Sequence, residues 1–317
     1  GGYISDNYHW GWIFLINVPV GLLSAFVTWR ILKSRDTPAQ AVTLDRVGIL
    51  MLAFWVFALQ VVLDLGKNDD WFHSSTIVVL TVLAAIGFIA WLIWERTDDN
   101  PAVDLSLFAN RNFSLGTVAL ALGFALFFAN NLLLPLWLQR ELGYTATWAG
   151  LVVAPSGIVA VLLTPFITRA SGRIEPRWLA TVAFVAFGIS FFMRARLSAE
   201  TDFWHFAVPM MVQGVATSIF LMAMLTISLG EIPPEKMPMA TGISNFVRIT
   251  ASSFAASLIT TAWDRREALH QSRLAEAVTA FPGSFGQASD RLNGLGFSDH
   301  AAAAETAHEM VKQAYLL

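Results

Sequence analysis

The sequence predicts an all-α protein: a polytopic transmembrane helix bundle with about eight complete spans. Two observations of composition point there. Hydrophobic residues make up 56% of the 317 residues and charged ones only 14%, against roughly 25% charged in ordinary soluble domains. Mean hydropathy is +0.58. The third observation is repetition, because long apolar runs recur along the chain, and about 20 helical residues at 1.5 Å each span the hydrocarbon core of a bilayer. In lipid every backbone polar group must be paired, which a helix does within its own segment. Strands of a membrane barrel would alternate apolar and polar residues, and these runs do not.

The first run opens at Trp10–Gly21 with two tryptophans and an Asn-x-Pro-x-Gly pattern, and continues to Leu32 with Ser24, Thr28 and Arg30 as its polar interruptions. The predicted spans are 12–32, 47–66, 75–94, 113–139, 148–168, 178–194, 205–229 and 240–263. Basic residues orient them. One set of alternate loops holds ten (Arg30, Lys33, Arg35, Arg46, Arg96, Arg111, Arg169, Arg173, Arg177 and Lys236), and the other short loops hold four (Lys67, Arg140, Arg194 and Arg196). The richer set is expected on the cytoplasmic side. Eleven of the twelve tryptophans fall near predicted helix ends, as an interfacial belt requires, and only Trp55 falls mid-segment. Beyond Trp263 the chain becomes charged and Ala-rich; Asp264–Phe281 reads as an amphipathic helix, and Ser298-Asp299 as the cap of another. The alternation puts this region outside the cytoplasm. Starting at Gly1-Gly2 with no basic leader, and stopping where Ala314–Leu317 reads as the start of another crossing, the chain is expected to be part of a longer protein.

Several chemistries lack their residues. There are no cysteines, which excludes disulfides and thiolate chemistry, and the net charge of −3 comes without a basic stripe for nucleic acid. The six histidines lie in loops or at helix ends, with no His-Glu-x-x-His pattern, no Gly-x-Ser-x-Gly elbow and no phosphate-binding Gly-rich loop. An enzyme is therefore not expected, and no resident cofactor or metal.

Ionisable residues inside spans are the default functional candidates, because each is costly in hydrocarbon. Arg248 is the one well inside, about eight residues or ~12 Å into the last helix. Thr241, Asn245, Arg248 and Ser252 fall on one helical stripe. The arginine either snorkels to the interface from a packed helix or faces a water-filled cavity, and the polar groups on its face favour the cavity. In 205–229, Gln213, Thr217, Phe220 and Met224 share helical spacing after Pro209, as an adaptable apolar pocket or as plain core. In 113–139, Phe124, Phe128, Asn131 and Pro135 share a face, with Asn130 adjacent. The two amides either line a cavity or bond to neighbouring helices.

These residues resemble a family, the major facilitator superfamily, and within it the fourteen-helix drug:proton antiporters of the EmrB/QacA type. Trp10–Gly21 is similar to that family's sixth helix, with Gly11 in place of the usual arginine, and Gly1-Gly2 resembles the end of the antiporter motif on the fifth. Asn100–Leu105, Phe108 and Arg111–Phe113 resemble the cytoplasmic start of helix nine; Gly143-Tyr144, Ala149-Gly150 and Pro155 resemble helix ten. Pro209, Gln213 and Gly214 resemble helix twelve, and Asn245 with Arg248 helix thirteen. The stretch Pro165–Arg173 is similar to a degraded Gly-x-x-x-Asp-Arg-x-Gly-Arg motif in which Gly172 and Arg173 fit while Pro165 and Arg169 depart.

The resemblance implies a division into 1–32 (helix six, ending the amino-terminal bundle), 33–112 (two extra central helices), 113–263 (helices nine to thirteen) and 264–317 (an extracytoplasmic amphipathic segment and a truncated last helix). It implies a multi-pass protein of the inner membrane that exports hydrophobic drug-like molecules by proton antiport, with the proton gradient as energy source and no cofactor. It also implies a periplasmic adaptor and an outer-membrane channel as partners, and coupling residues mainly in helices one and four, outside this chain. No acidic residue lies well within the predicted spans. Two alternatives stay open: a facilitator importing a polar solute, and a non-transporting chain whose outer segment docks an adaptor.

Overall fold

The computed structural model describes residues 1–33, 45–98, 101–195, 202–280, 290–294 and 298. Among them there is no strand. The helices are α1 (Gly2–Asn7), α2 (Trp12–Leu15), α3 (Asn17–Leu32), α4 (Arg46–Leu65), α5 (Ser75–Thr97), α6 (Arg111–Arg140), α7 (Ala146–Ser171), α8 (Pro176–Arg194), α9 (Phe203–Leu229) and α10 (Met237–Ala280). Short 3-10 turns at Trp71–His73, Leu105–Ala109 and Pro234–Lys236 join α4 to α5, α5 to α6 and α9 to α10.

Local chemistry sets the boundaries. The side chains of Asp45, Asn110 and Thr145 accept from the backbone N–H groups of Gly48 (2.8 Å), Phe113 (3.0 Å) and Trp148 (3.3 Å), capping α4, α6 and α7. Pro176 starts α8, where its missing N–H has no partner to lose. Gly143, at φ +64°, supplies the left-handed turn between α6 and α7.

Seven described helical stretches are long and apolar enough to cross a membrane, α2 and α3 together forming the first, Trp12–Leu32. The eighth predicted span lies within α10, where Thr241, Ser244, Asn245, Arg248, Thr250 and Ser252 dilute its apolarity. Of the helix predicted over Asp264–Phe281, the part up to Ala280 is continuous with that span, and Phe281 lies outside the described residues. From Ile243 to Phe281 there is no Gly or Pro to stop it. The helix predicted after Ser298-Asp299 lies outside the described residues.

Between helices in lipid there is no hydrophobic driving force, so close packing and hydrogen bonds hold them together. α9 is central, packing on α8, α7 and α6. Its Gly214 lets the backbone of α7 come near: a Cβ there would lie 2.5 Å from the Ser156 carbonyl oxygen. One core joins α6, α8 and α9 around Leu120, Ala183, Phe187, Ala216 and Phe220, and a second joins α6, α7 and α9 around Leu138, Val152 and Met210. α4 and α5 pair with each other, and α10 lies along α6 and touches α4. Ser257 of α10 donates to the Leu63 carbonyl at 2.8 Å.

Loops that the alternation places on one side are tied together. At the basic end, Lys236 meets Asp104 at 2.6 Å, and Asn110 and Asn112 donate to Glu231 at 3.2 and 2.6 Å. At the opposite end, Lys67 pairs with Asp264 at 2.7 Å. There too α1 docks on α7, with Asp6 accepting from the Thr147 N–H at 2.7 Å. Hydrogen bonds from Thr147 hold the Asp6 carboxyl below its ordinary pKa.

Candidate functional site

The ten candidate residues separate into three settings. The first is a buried polar centre between α6, α8 and α9. The Gln213 side chain is wholly buried; its Oε1 accepts from Asn130 Nδ2 at 3.0 Å and from Arg194 Nη2. The same Arg194 nitrogen donates to Ser190 Oγ at 2.7 Å, and Ser190 Oγ donates to the Pro209 carbonyl at 2.6 Å. Arg194 Nη1 and Gln213 Nε2 have no acceptor. Thr217 closes onto its own helix, donating to the Gln213 carbonyl at 2.8 Å.

Arg194 had no place among the candidates. By sequence it ends the apolar run 178–194 and counts with the loop charges, but its side chain turns back along α8 into the bundle. The available signal was Ser190, one helical turn before it on the same face. Hydrogen bonding by Ser190 and Gln213, with the Phe191 ring 5.3 Å from the guanidinium, offsets part of the charge's desolvation.

The second setting is the open face of α6 and α10. The Arg248 guanidinium carbon stands 4.3 Å from the centroid of the Phe124 ring, and Nη2 donates to Asn245 Oδ1 at 3.1 Å. Arg248 Nε has no partner. Phe128, one turn after Phe124, is 42% exposed. Asn131 is half-buried and its amide donates to the Phe127 carbonyl at 2.8 Å. The adjacent asparagines thus face different ways: Asn130 towards α9, and Asn131 back along its own helix.

The third setting is the packed core. Phe220 and Met224 are buried with Leu120, Ala183 and Phe187, and the Phe220 ring meets Phe184 and Phe187 edge-on at 5.5 Å. A Cβ on Gly123 would lie 2.5 Å from the Phe220 ring, so this side chain is fitted to its neighbours. Reaching a ligand would require both residues to leave that core.

One acidic residue is buried at the end of a span, not well within it. The predicted span stops at residue 94, whereas α5 runs to Thr97 and carries Glu95, only 3% exposed, within it. Its carboxylate accepts from Trp91 Nε1 at 2.8 Å and from the Val103 N–H at 3.0 Å. The short polar run Glu95-Arg96-Thr97 reads as a loop by composition. The connector folding back over the helix end buries it.

Seven membrane-capable helical stretches packed around few buried polar centres define a polytopic membrane bundle. Residues 1–256 match the family described as Major Facilitator Superfamily, and the chain belongs to it. Among its relatives, the multidrug export protein EmrB of Escherichia coli (strain K12) is 42% identical over 318 aligned residues, covering 100% of this chain and 62% of that protein. The fatty acid resistance protein FarB of Neisseria gonorrhoeae is 40% identical over 94% of this chain and 59% of its own length. The lincomycin resistance protein LmrB of Listeria innocua is 26% identical over 82% of this chain and 55% of its own. The chain therefore spans about 62% of the EmrB protein it matches. It is a multi-pass protein of the inner membrane.

Proposed function

We propose that the protein to which this chain belongs exports hydrophobic compounds by proton antiport with alternating access. In this reading α2–α3 is the sixth helix of a fourteen-helix transporter, α4 and α5 are the two extra central helices, and α6–α10 are helices nine to thirteen. The single observation that carries the reading is the Arg248–Phe124–Asn245 group on the open face of α6 and α10. An aromatic ring beside a half-buried guanidinium and an exposed amide can take an apolar body and one polar group together. Asn130 and Gln213 lie deeper and, with Arg194, hold α6, α8 and α9 in register, while Thr217 bonds its own helix. The names of the relatives, multidrug export and fatty acid resistance, support the substrate class.

Protons come from the membrane gradient, and the reading calls for no cofactor. The helical extension of α10 beyond Asp264 offers a periplasmic adaptor a surface, through which an outer-membrane channel would be reached. Deleting 268–280 and following co-purification with the adaptor tests that part.

The central test is Arg248→Ala in the intact protein. Cells carrying it are expected to become several-fold more sensitive to a hydrophobic toxic compound at equal membrane abundance, with Arg248→Lys restoring part of the resistance. Wild-type resistance in Arg248→Ala would overturn the role given to this group.

A further inference from the structure

In chain order α4 and α5 follow α3, but their ties run to α10. α4 packs on α10 only lightly. With no hydrophobic drive between helices in lipid, a few specific contacts then decide what the α4–α5 pair moves with.

At the inner end the tie passes through the connector between α5 and α6. Glu95 of α5 gives one carboxylate oxygen to Trp91 Nε1 and the other to the Val103 N–H. The next residue, Asp104, is held from the other side: its N–H lies 3.1 Å from Met239 Sδ in the first turn of α10, and its carboxylate meets Lys236 Nζ at 2.6 Å. Lys236 Nζ also reaches Ser106 Oγ at 3.4 Å. Two consecutive residues are thus gripped from opposite directions, Val103 by α5 and Asp104 by α10. Glu95 is buried, so letting go of Val103 would leave a buried carboxylate oxygen without its donor, which is costly.

Midway along, the Trp55 ring of α4 meets Phe246 of α10 edge-on at 6.0 Å. At the outer end the buried Ser257 of α10 donates to the Leu63 carbonyl of α4, and Lys67, just past α4, pairs with Asp264. From Met239 to Asp264 the ties span about 37 Å of α10, more than the hydrocarbon core. A single tie is a pivot; ties at both ends and in the middle oppose tilting and sliding together.

We infer that α4 and α5 travel with α10 as one body when the two bundles alternate, with Glu95 as the positioning residue at the inner end and Ser257 at the outer. The inference rests on the alternating-access reading for the motion and not on which compound is carried. The moving boundary then falls, in sequence, between α3 and α4, and the contact of α1 with α7 lies across it.

That contact supplies the test. A Cβ on Gly2 would overlap the Ala146 carbonyl oxygen of α7. Gly2→Leu must therefore move α1 off α7 by about 2 Å or more to restore contact distances of about 3.5 Å. This chain has no cysteines, so nitroxide labels go only where cysteines are introduced, any cysteine elsewhere in the intact protein being replaced. Three pairs of exposed positions are labelled in nanodiscs and measured by pulsed electron spin resonance: Asn7→Cys with Ala262→Cys, Asn68→Cys with Ala262→Cys, and Arg96→Cys with Glu235→Cys. Gly2→Leu is expected to lengthen the first distance and leave the second and third unchanged. Adding Glu95→Ala and Ser257→Ala is expected to let Gly2→Leu shift all three, and Glu95→Gln, which keeps one acceptor oxygen, to restore part of the inner distance.

Second and third distances that follow the first in Gly2→Leu alone would show α4 and α5 moving with the amino-terminal helices and overturn the inference. Distances that stay fixed in the triple variant would overturn the roles of Glu95 and Ser257. Should Gly2→Leu fail to reach the membrane, Glu95→Ala with Ser257→Ala is measured by itself: wider second and third distributions support the ties, and unchanged widths overturn them. None of these readouts needs a transported compound, so an absence of drug resistance would sink the export reading and leave this one to be decided by the distances.

Discussion

The helix Trp12–Leu32 and the helix α9 have the same mean hydropathy and opposite surroundings. Neither α2 nor α3 has a buried residue, whereas α9 buries thirteen, from Phe206 to Ser228. Apolarity alone thus decides that a helix sits in hydrocarbon and leaves open which neighbours it has. The neighbours of α9 are in this chain and meet its small and polar residues, whereas in the proposed reading α3 belongs to the amino-terminal bundle, whose other helices lie in the part of the protein that this chain does not span. α9 carries Gly214, Ala216, Ser218, Ala223 and Ser228 on buried positions and one amide, Gln213, that reaches two other helices. On α3 a Cβ at Gly21 meets nothing within 4 Å, and Asn17 donates to the Ile13 carbonyl of its own turn at 3.1 Å.

The largest effect expected from this contrast comes from paired glycine substitutions. Gly214→Leu drives a side chain into Ser156 and Val159 of α7 and is expected to destabilise by about 3 kcal/mol, the upper range for overpacking. In this chain by itself Gly21→Leu is expected to stay within about 0.5 kcal/mol. Equilibrium unfolding in detergent, followed by tryptophan fluorescence, compares the two. Equal losses would break the contrast.

A middling effect is expected from the amides. Gln213→Leu leaves Arg194 Nη2 and Asn130 without their shared acceptor and is expected to lose about 1–3 kcal/mol. In this chain by itself Asn17→Leu is expected to be near neutral. Adding Arg194→Leu to Gln213→Leu is expected to cost less than the sum of the single changes, because the second removes a charge already stranded by the first.

The smallest effect is at the helix ends. The connector after α9 is tied across the bundle by Lys236 and Asp104, while Lys33 at the end of α3 lies over its own helix's Trp29 ring at 4.8 Å. Burial pushes the Asp104 carboxyl up, but hydrogen bonds from Lys236 and Ser106 outweigh it and hold its pKa below the ordinary value. A depressed carboxylate contributes stability that is full above its unfolded pKa, about 4, and is lost as pH falls through the folded value. The difference in melting temperature between wild type and Lys236→Ala is therefore expected to correspond to less than about 1 kcal/mol at pH 6 and to shrink as pH falls below about 4. A difference that does not shrink on acidification would assign Lys236 a packing role instead.

Much of the fold was legible because spans are local. Arg111 and Ala146 begin α6 and α7 two residues before the predicted 113 and 148, with Asn110 and Thr145 as caps that the apolar runs alone did not mark. The site was less legible because it depends on which face of each helix meets which neighbour. Asn130 and Asn131 are adjacent in sequence and chemically identical, yet one joins three helices and the other its own. Phe220 and Met224 have the spacing of a pocket and the surroundings of a core. Arg194 and Glu95 look like loop charges because each sits at the end of an apolar run; only the tertiary packing turns them inward.

One consequence follows from the length of α10. Its 44 residues make a rod of about 66 Å, roughly twice the hydrocarbon thickness. The membrane part, to about Trp263, accounts for some 40 Å of this, leaving about 25 Å of helix beyond Asp264. With no Gly or Pro hinge from Ile243 to Ala280, the rod acts as a lever. A tilt of about 10° at the Lys67–Asp264 fulcrum would sweep its far tip by roughly 4 Å, turning a small rearrangement between helices into a displacement on the scale of a hydrogen-bonded contact outside the bilayer.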